Sequence, residues 1–155
     1  MKISILYGTE TGNAEMLAED IQAELEGAHD VSCENLADTD PTALDPTQLY
    51  LLVCSTYGDG ELPASAQPFA EAMDSAKPDL SAIHFAIFGL GDSEYHETFN
   101  GGPKHLAELM VAHGAVQIGE RVAHDASGPD MPEDLAYPWA EAVIEEVEEK
   151  LGVPA

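Results

Sequence analysis

The residues best equipped for chemistry are Thr9-Glu10-Thr11-Gly12-Asn13-Ala14-Glu15. They follow a short apolar run, Ile3-Ser4-Ile5-Leu6-Tyr7, and precede a helical pattern that starts at Asn13. A loop that joins a strand to a helix N-terminus offers free backbone N–H groups and the positive end of the helix dipole, which suits a phosphate. Thr9 and Thr11 add hydroxyl donors, and Gly12 lets backbone come close. The loop holds no Lys or Arg, so amides and hydroxyls would have to do the holding. A capped helix start is the plain alternative for this loop alone. The pattern is neither G-x-x-x-x-G-K-[ST] nor G-x-G-x-x-G, which argues against a Walker-type site and the dinucleotide fingerprint.

Two further stretches resemble it in kind. Ser55-Thr56-Tyr57-Gly58-Asp59-Gly60-Glu61 and Gly89-Leu90-Gly91-Asp92-Ser93-Glu94-Tyr95 each place a tyrosine among glycines after an apolar run. Two aromatics can sandwich a planar ring, each stack adding roughly 0.5–1.5 kcal/mol beyond its buried area. The glycines let amides and carbonyls reach the edge of that ring. A phosphate at one end and a flat heteroaromatic at the other describes FMN. Either tyrosine taken singly reads equally as a packed core aromatic.

The elements that must position these loops follow from periodicity. Helices are expected over about Asn13 to Glu26, Ala64 to Met73, Pro103 to His113 and Leu135 to Leu151. Strands are expected at Ile3–Tyr7, Asp30–Leu36, Leu49–Cys54, Ile83–Phe88 and within Ala115–Ala123. Ala37 to Thr47 and Asp125 to Asp134 read as loops. Ala14, Leu17, Ala18, Ile21 and Leu25 form one apolar stripe, with Gly27 suited to stop that helix. Trp139, Val143, Ile144 and Val147 form another, with Glu145, Glu146, Glu148 and Glu149 on its wet face. Strand–helix alternation of this kind makes an α/β doubly wound parallel sheet of five strands, with helices on both faces. In strand order 2-1-3-4-5 the three loops leave the carboxyl ends of neighbouring strands, where such sheets bind ligands.

Thirty acidic residues against five basic ones give a net charge of −25 over 155 residues. That excess argues against nucleic acid and anionic membranes as partners and favours a basic protein or a high-salt setting. The length suits one domain, residues 1–155. No apolar run is long enough to span a membrane. Met1-Lys2 leads directly into the first strand, leaving no room for a signal peptide, and a cytoplasmic location is expected. Cys33 and Cys54 fall on strands separated by a third, roughly 9–10 Å apart and beyond the ~7 Å reach of a disulfide, so both read as buried free thiols. The six histidines show no metal-ligand spacing.

Together the three motifs resemble the FMN loops of the flavodoxin superfamily, over essentially the whole chain. The likeness is to MioC-type short flavodoxins and to the FMN domains of diflavin reductases such as NADPH–cytochrome reductases. It implies that Thr9, Glu10, Thr11, Gly12, Asn13 and Ala14 hold the FMN phosphate. Ser55, Thr56, Tyr57, Gly58 and Asp59 flank the isoalloxazine, with Tyr57 on one face. Leu90, Gly91 and Asp92 line the pyrimidine edge, and Tyr95 stacks on the other face. Phe99 and Asn100 match the end of the third loop, although His96-Glu97-Thr98 is one residue more than the diflavin pattern has there. The loop at Asp125 to Asp130 is also expected near the flavin. The spacing before the last helix leaves no room for the long-chain insertion.

The resemblance further implies single-electron transfer, with FMN cycling between semiquinone and hydroquinone, and the Gly58–Asp59 peptide free to turn toward flavin N5. The expected partners are basic-surfaced redox proteins, a flavin reductase as donor and a haem or other redox protein as acceptor, with the chain a monomer. Asp59, Glu61, Asp92, Glu94 and Glu97 would lower the hydroquinone potential, about 59 mV for each 1.4 kcal/mol. An FMN-dependent quinone reductase and a flavin-free interaction module are the alternatives. A two-component receiver domain shares the sheet order but needs an acidic pair after the first strand, an Asp ending the third and a Lys ending the fifth. Here those places hold Tyr7-Gly8, Ser55-Thr56 and no Lys.

Overall fold

A computed structural model describes residues 2–8, 13–55, 64–91, 101–119, 122–125 and 132–151. The elements are β1 (Lys2–Gly8), α1 (Asn13–Leu25), β2 (Asp30–Asn35), β3 (Leu49–Ser55), α2 (Gln67–Ala76), β4 (His84–Gly91), α3 (Gly101–Ala112), β5 (Val116–Gln117), β6 (Val122–Asp125) and α4 (Pro132–Leu151). Short 3-10 turns lie at Leu36–Asp38, Pro41–Ala43 and Ala64–Ala66.

The sheet is parallel, in the order β2-β1-β3-β4-β5, with β6 also on β4. This is the order expected from strand–helix alternation. The central strands are covered on both faces, which is why they read as continuous apolar runs. Their side chains divide with a period of two. Leu49, Leu51, Val53, Ala86, Phe88 and Leu90 face α1 and α4. Tyr50, Leu52, Cys54, Phe85 and Ile87 face α2 and α3. The edge strand β2 alternates instead, with Val31, Cys33 and Asn35 half-buried and Asp30, Ser32 and Glu34 exposed. Both expected helical stripes are buried.

Several local expectations are corrected. The last strand is split: His84 faces Val116 and Phe88 faces Val122, so six steps of chain match four on β4. The surplus is taken up around Gly119, whose φ of +70° favours a residue without a Cβ. The third and fourth strands run to Ser55 and Gly91, further than expected. α4 starts at Pro132 rather than Leu135, consistent with proline's fixed φ at a helix start. α4 also carries Pro138 within it. Gly27 does not act as a left-handed stop: α1 ends in a turn closed by Ala28 N–H to the Leu25 carbonyl at 3.1 Å. Lys77 caps α2 instead in that conformation, at φ +48°. Cys54 is fully buried but Cys33 is only half-buried, because β2 lies at the sheet edge. On α4, Glu145 and Glu149 are exposed while Glu146 and Glu148 are half-buried.

Among the described residues no helix is long and apolar enough to cross a membrane.

Candidate functional site

The carboxyl ends of four parallel strands form one edge. Gly8 on β1 is in register with Cys54 on β3, and Cys54 with Gly89 on β4. Ser55 pairs with Leu90, Leu90 with His124, and Gly91 with Asp125. At about 3.3 Å per residue and about 4.8 Å between strands, the three glycine-rich loops begin within roughly 10 Å of one another. The strand order switches sides here, since β1 has β2 on one side and β3 on the other. This is the crevice where open parallel sheets bind ligands.

α1 points its N-terminus at this edge, starting at Asn13 five residues after Gly8. The first-turn amides of a helix have no partner within it. Ala14 is fully buried beneath them, so it offers a ligand backbone N–H only. Leu90 likewise buries its side chain in the α1/α4 core, which keeps that side chain out of the site. Gly8 is fixed by close approach: a Cβ there would stand 3.0 Å from Ala66 Cβ and 3.1 Å from Leu36 Cδ1. The turn at Ala64–Ala66 therefore returns over the end of β1, drawing the exit of the second loop toward the start of the first.

Of the expected site residues, Asn13, Ala14, Ser55, Leu90 and Gly91 have a described backbone at this edge. Thr9, Glu10, Thr11, Gly12, Thr56, Tyr57, Gly58, Asp59, Asp92, Tyr95, Phe99 and Asn100 lie outside the described residues. What the fold adds is β6, whose end at Asp125 lies level with Gly91. The chain thus leaves the same edge at the start of the loop expected at Asp125 to Asp130, whose remaining residues lie outside the described ones.

Below the first loop lies a small titratable group of side chains. The Tyr7 hydroxyl donates to Glu15 Oε1 at 3.2 Å. Burial, and then the hydrogen bond to Glu15, push Tyr7 up to about 12. Burial, with the negative charges of Glu19 and Glu15, pushes the Cys33 thiol up to about 11. Burial alone raises Cys54. Among the described residues no cluster of His, Cys, Asp or Glu could hold a metal ion.

An amide-lined helix start without a cation, next to a glycine-lined edge, fits the phosphate and ring of FMN. The comparisons with known proteins agree. A family model described as flavodoxin matches residues 5–139. Protein MioC of Escherichia coli (strain K12) is 36% identical over 137 residues, covering 88% of this chain and 92% of that one. The NADPH-dependent diflavin oxidoreductase 1 of Cryptococcus neoformans is 37% identical over 145 residues, or 91% of this chain and 23% of the larger protein. A solved structure, a cysteine-to-alanine mutant of flavodoxin from Pseudomonas aeruginosa, superposes with a TM-score of 0.80 at 35% identity, covering 93% of this chain and 97% of that chain. The chain belongs to the flavodoxin family, whose cofactor is FMN and whose work is electron transfer.

Proposed function

We propose that the chain is a single-domain, one-electron carrier of the short flavodoxin type rather than an enzyme with its own substrate. The observation that supports this reading is that the strands leading into three glycine-rich stretches end side by side on one sheet edge, next to the α1 N-terminus. On it, Thr9 to Ala14 hold the phosphate through amides and hydroxyls. Ser55 to Asp59 and Leu90 to Asp92, with Tyr57 and Tyr95, enclose the ring; Phe99 and Asn100 complete the third loop. The flavin supplies the redox chemistry, and the protein supplies orientation, exclusion of water and a negative field.

The partners we infer are redox proteins with basic surfaces. The relatives support this, since they include a flavoprotein component of sulfite reductase and a fused cytochrome P450/P450 reductase. The chain spans only 24% and 13% of those two proteins, so their activities are not carried over whole. The net charge of −25 supports the sign of the partner surface.

Anaerobic reductive titration of the purified protein tests the reading. A yellow protein that develops a long-wavelength band at half reduction, and loses it at full reduction, is the expected result. Reduction in a single two-electron step would favour a quinone reductase. A protein that stayed colourless after incubation with FMN would leave only an interaction module.

A further inference from the structure

Tyr7 is the last side chain of β1 before the first loop, since Gly8 follows it, and Glu15 lies in the first turn of α1 beyond that loop. Their hydrogen bond, at 3.2 Å, closes a ring over the intervening residues 8–14. Both are half-buried. Tyr7 packs against the core that α1 covers, and Ala14 and Leu17, on either side of Glu15, are buried in it. Cys33 and Glu19 are the other titratable groups that face the pair.

A phosphate held by helix amides depends on where those amides point, and no flexible Lys or Arg is present in the loop to make up an error. A strand end bonded to the first turn of the helix fixes that direction. The bond also disposes of a conflict. A carboxylate and a phosphate both seek the positive end of the same helix, and Glu15 is engaged by a hydroxyl from the sheet. We propose that the Tyr7–Glu15 bond is a brace that aligns the first turn of α1 for the phosphate of FMN. Tyr7 is then a positioning residue, acting through Glu15 and touching no ligand. The inference rests on the reading of Thr9–Ala14 as the phosphate loop.

The test compares FMN with riboflavin, which lacks the phosphate, on apoprotein. Tyr7→Phe keeps the ring and removes the hydroxyl. A hydrogen bond to a charged group is worth enough to weaken FMN binding about tenfold, while riboflavin affinity stays within about twofold. Glu15→Ala should match Tyr7→Phe, the double variant should be no worse than either, and Glu15→Gln, which keeps an acceptor, should stay near the parent. If Tyr7→Phe does not fold, the ratio measured for Glu15→Ala decides. An FMN-to-riboflavin preference that survives in these variants, whether both affinities hold or both fall together, overturns the brace alone. A parent protein that binds riboflavin as tightly as FMN overturns the phosphate loop, and the brace with it.

Discussion

Gly8 and Ala66 meet at the end of β1: a Cβ on Gly8 would lie 3.0 Å from that of Ala66. Leu36 Cδ1 at 3.1 Å and Cys54 Sγ at 3.4 Å close the remaining sides. Ala66, Leu36 and Cys54 are all fully buried, so none can swing into solvent to make room. Gly8→Ala should therefore destabilise the fold by about 1–3 kcal/mol, as overpacking does. Urea unfolding measures this, and FMN affinity should fall with it because both loops shift. A Gly8→Ala protein as stable as the parent would mean that the turn at Ala64–Ala66 does not press on β1.

Trp139 is the single tryptophan of the chain, 6% exposed, with its ring centroid 5.4 Å from that of Phe88. Its Nε1 is buried and finds no hydrogen-bond partner among the described residues. An orphaned donor costs about 1–3 kcal/mol in the folded state. Trp139→Phe removes that cost while losing part of the packing, and the two effects oppose. Trp139→Ala loses the whole ring, worth about 3–5 kcal/mol. Trp139→Phe is expected to cost under about 1.5 kcal/mol, as well-tolerated apolar replacements do. A Trp139→Phe loss larger than that by about 1 kcal/mol, the net worth of a hydrogen bond, would mean that Nε1 is satisfied in solution.

Cys33 and Tyr7 are both held protonated in the fold, toward about 11 and about 12. A raised folded value favours the native state below the unfolded value. That advantage is lost as pH climbs through the folded value. Stability should thus fall between about pH 9 and 12 through these groups, with Cys54 acting in the same sense. Cys33→Ser should flatten the lower part of the fall, seen in urea midpoints taken at successive pH values. Midpoints that stay level from pH 8 to 11 would sink the idea. Alkylation gives a second reading. A thiol raised from 9.0 to about 11 carries about 100-fold less thiolate at pH 8. Cys33 should react that much more slowly than a free thiol, and Cys54 only on unfolding.

The fold is legible in the sequence because its signals are local and repeated. Leu49–Cys54 and Ile83–Phe88 are apolar without interruption, and only a strand covered on both faces needs that. The split of the fifth strand escapes such a reading because Gly119-Glu120-Arg121 passes for a polar step within one run, whereas the register is set by β4, which matches six steps of this chain with four of its own. The apolar pattern does not give the size of a register change of this kind. The site is legible as motifs at strand ends. Tyr7 and Glu15 are visible only as a strand residue and a helix residue, because their bond depends on how α1 folds back over β1. Leu90 is named for the site by its place in a motif, whereas its side chain is buried in the core between the sheet and the α1 and α4 helices.

The excess of acidic residues has two consequences that run in opposite directions with salt. A net charge of −25 on 155 residues repels itself in the compact state. The Debye length falls from about 30 Å at 0.01 M to about 3 Å at 1 M, so thermal stability should rise steadily over that range of KCl. Docking to a basic redox partner is weakened by the same screening. The rate of electron transfer to a basic haem protein should therefore fall over the range in which the melting temperature rises. A rate that is flat while stability rises would assign the charge to life in salt rather than to a partner. A falling rate with level stability would assign it to docking alone. Both slopes together are expected here, because thirty carboxylates distributed along the whole chain, Asp20 and Glu24 on α1 and Glu145 and Glu149 on α4 among them, are too many for one interface.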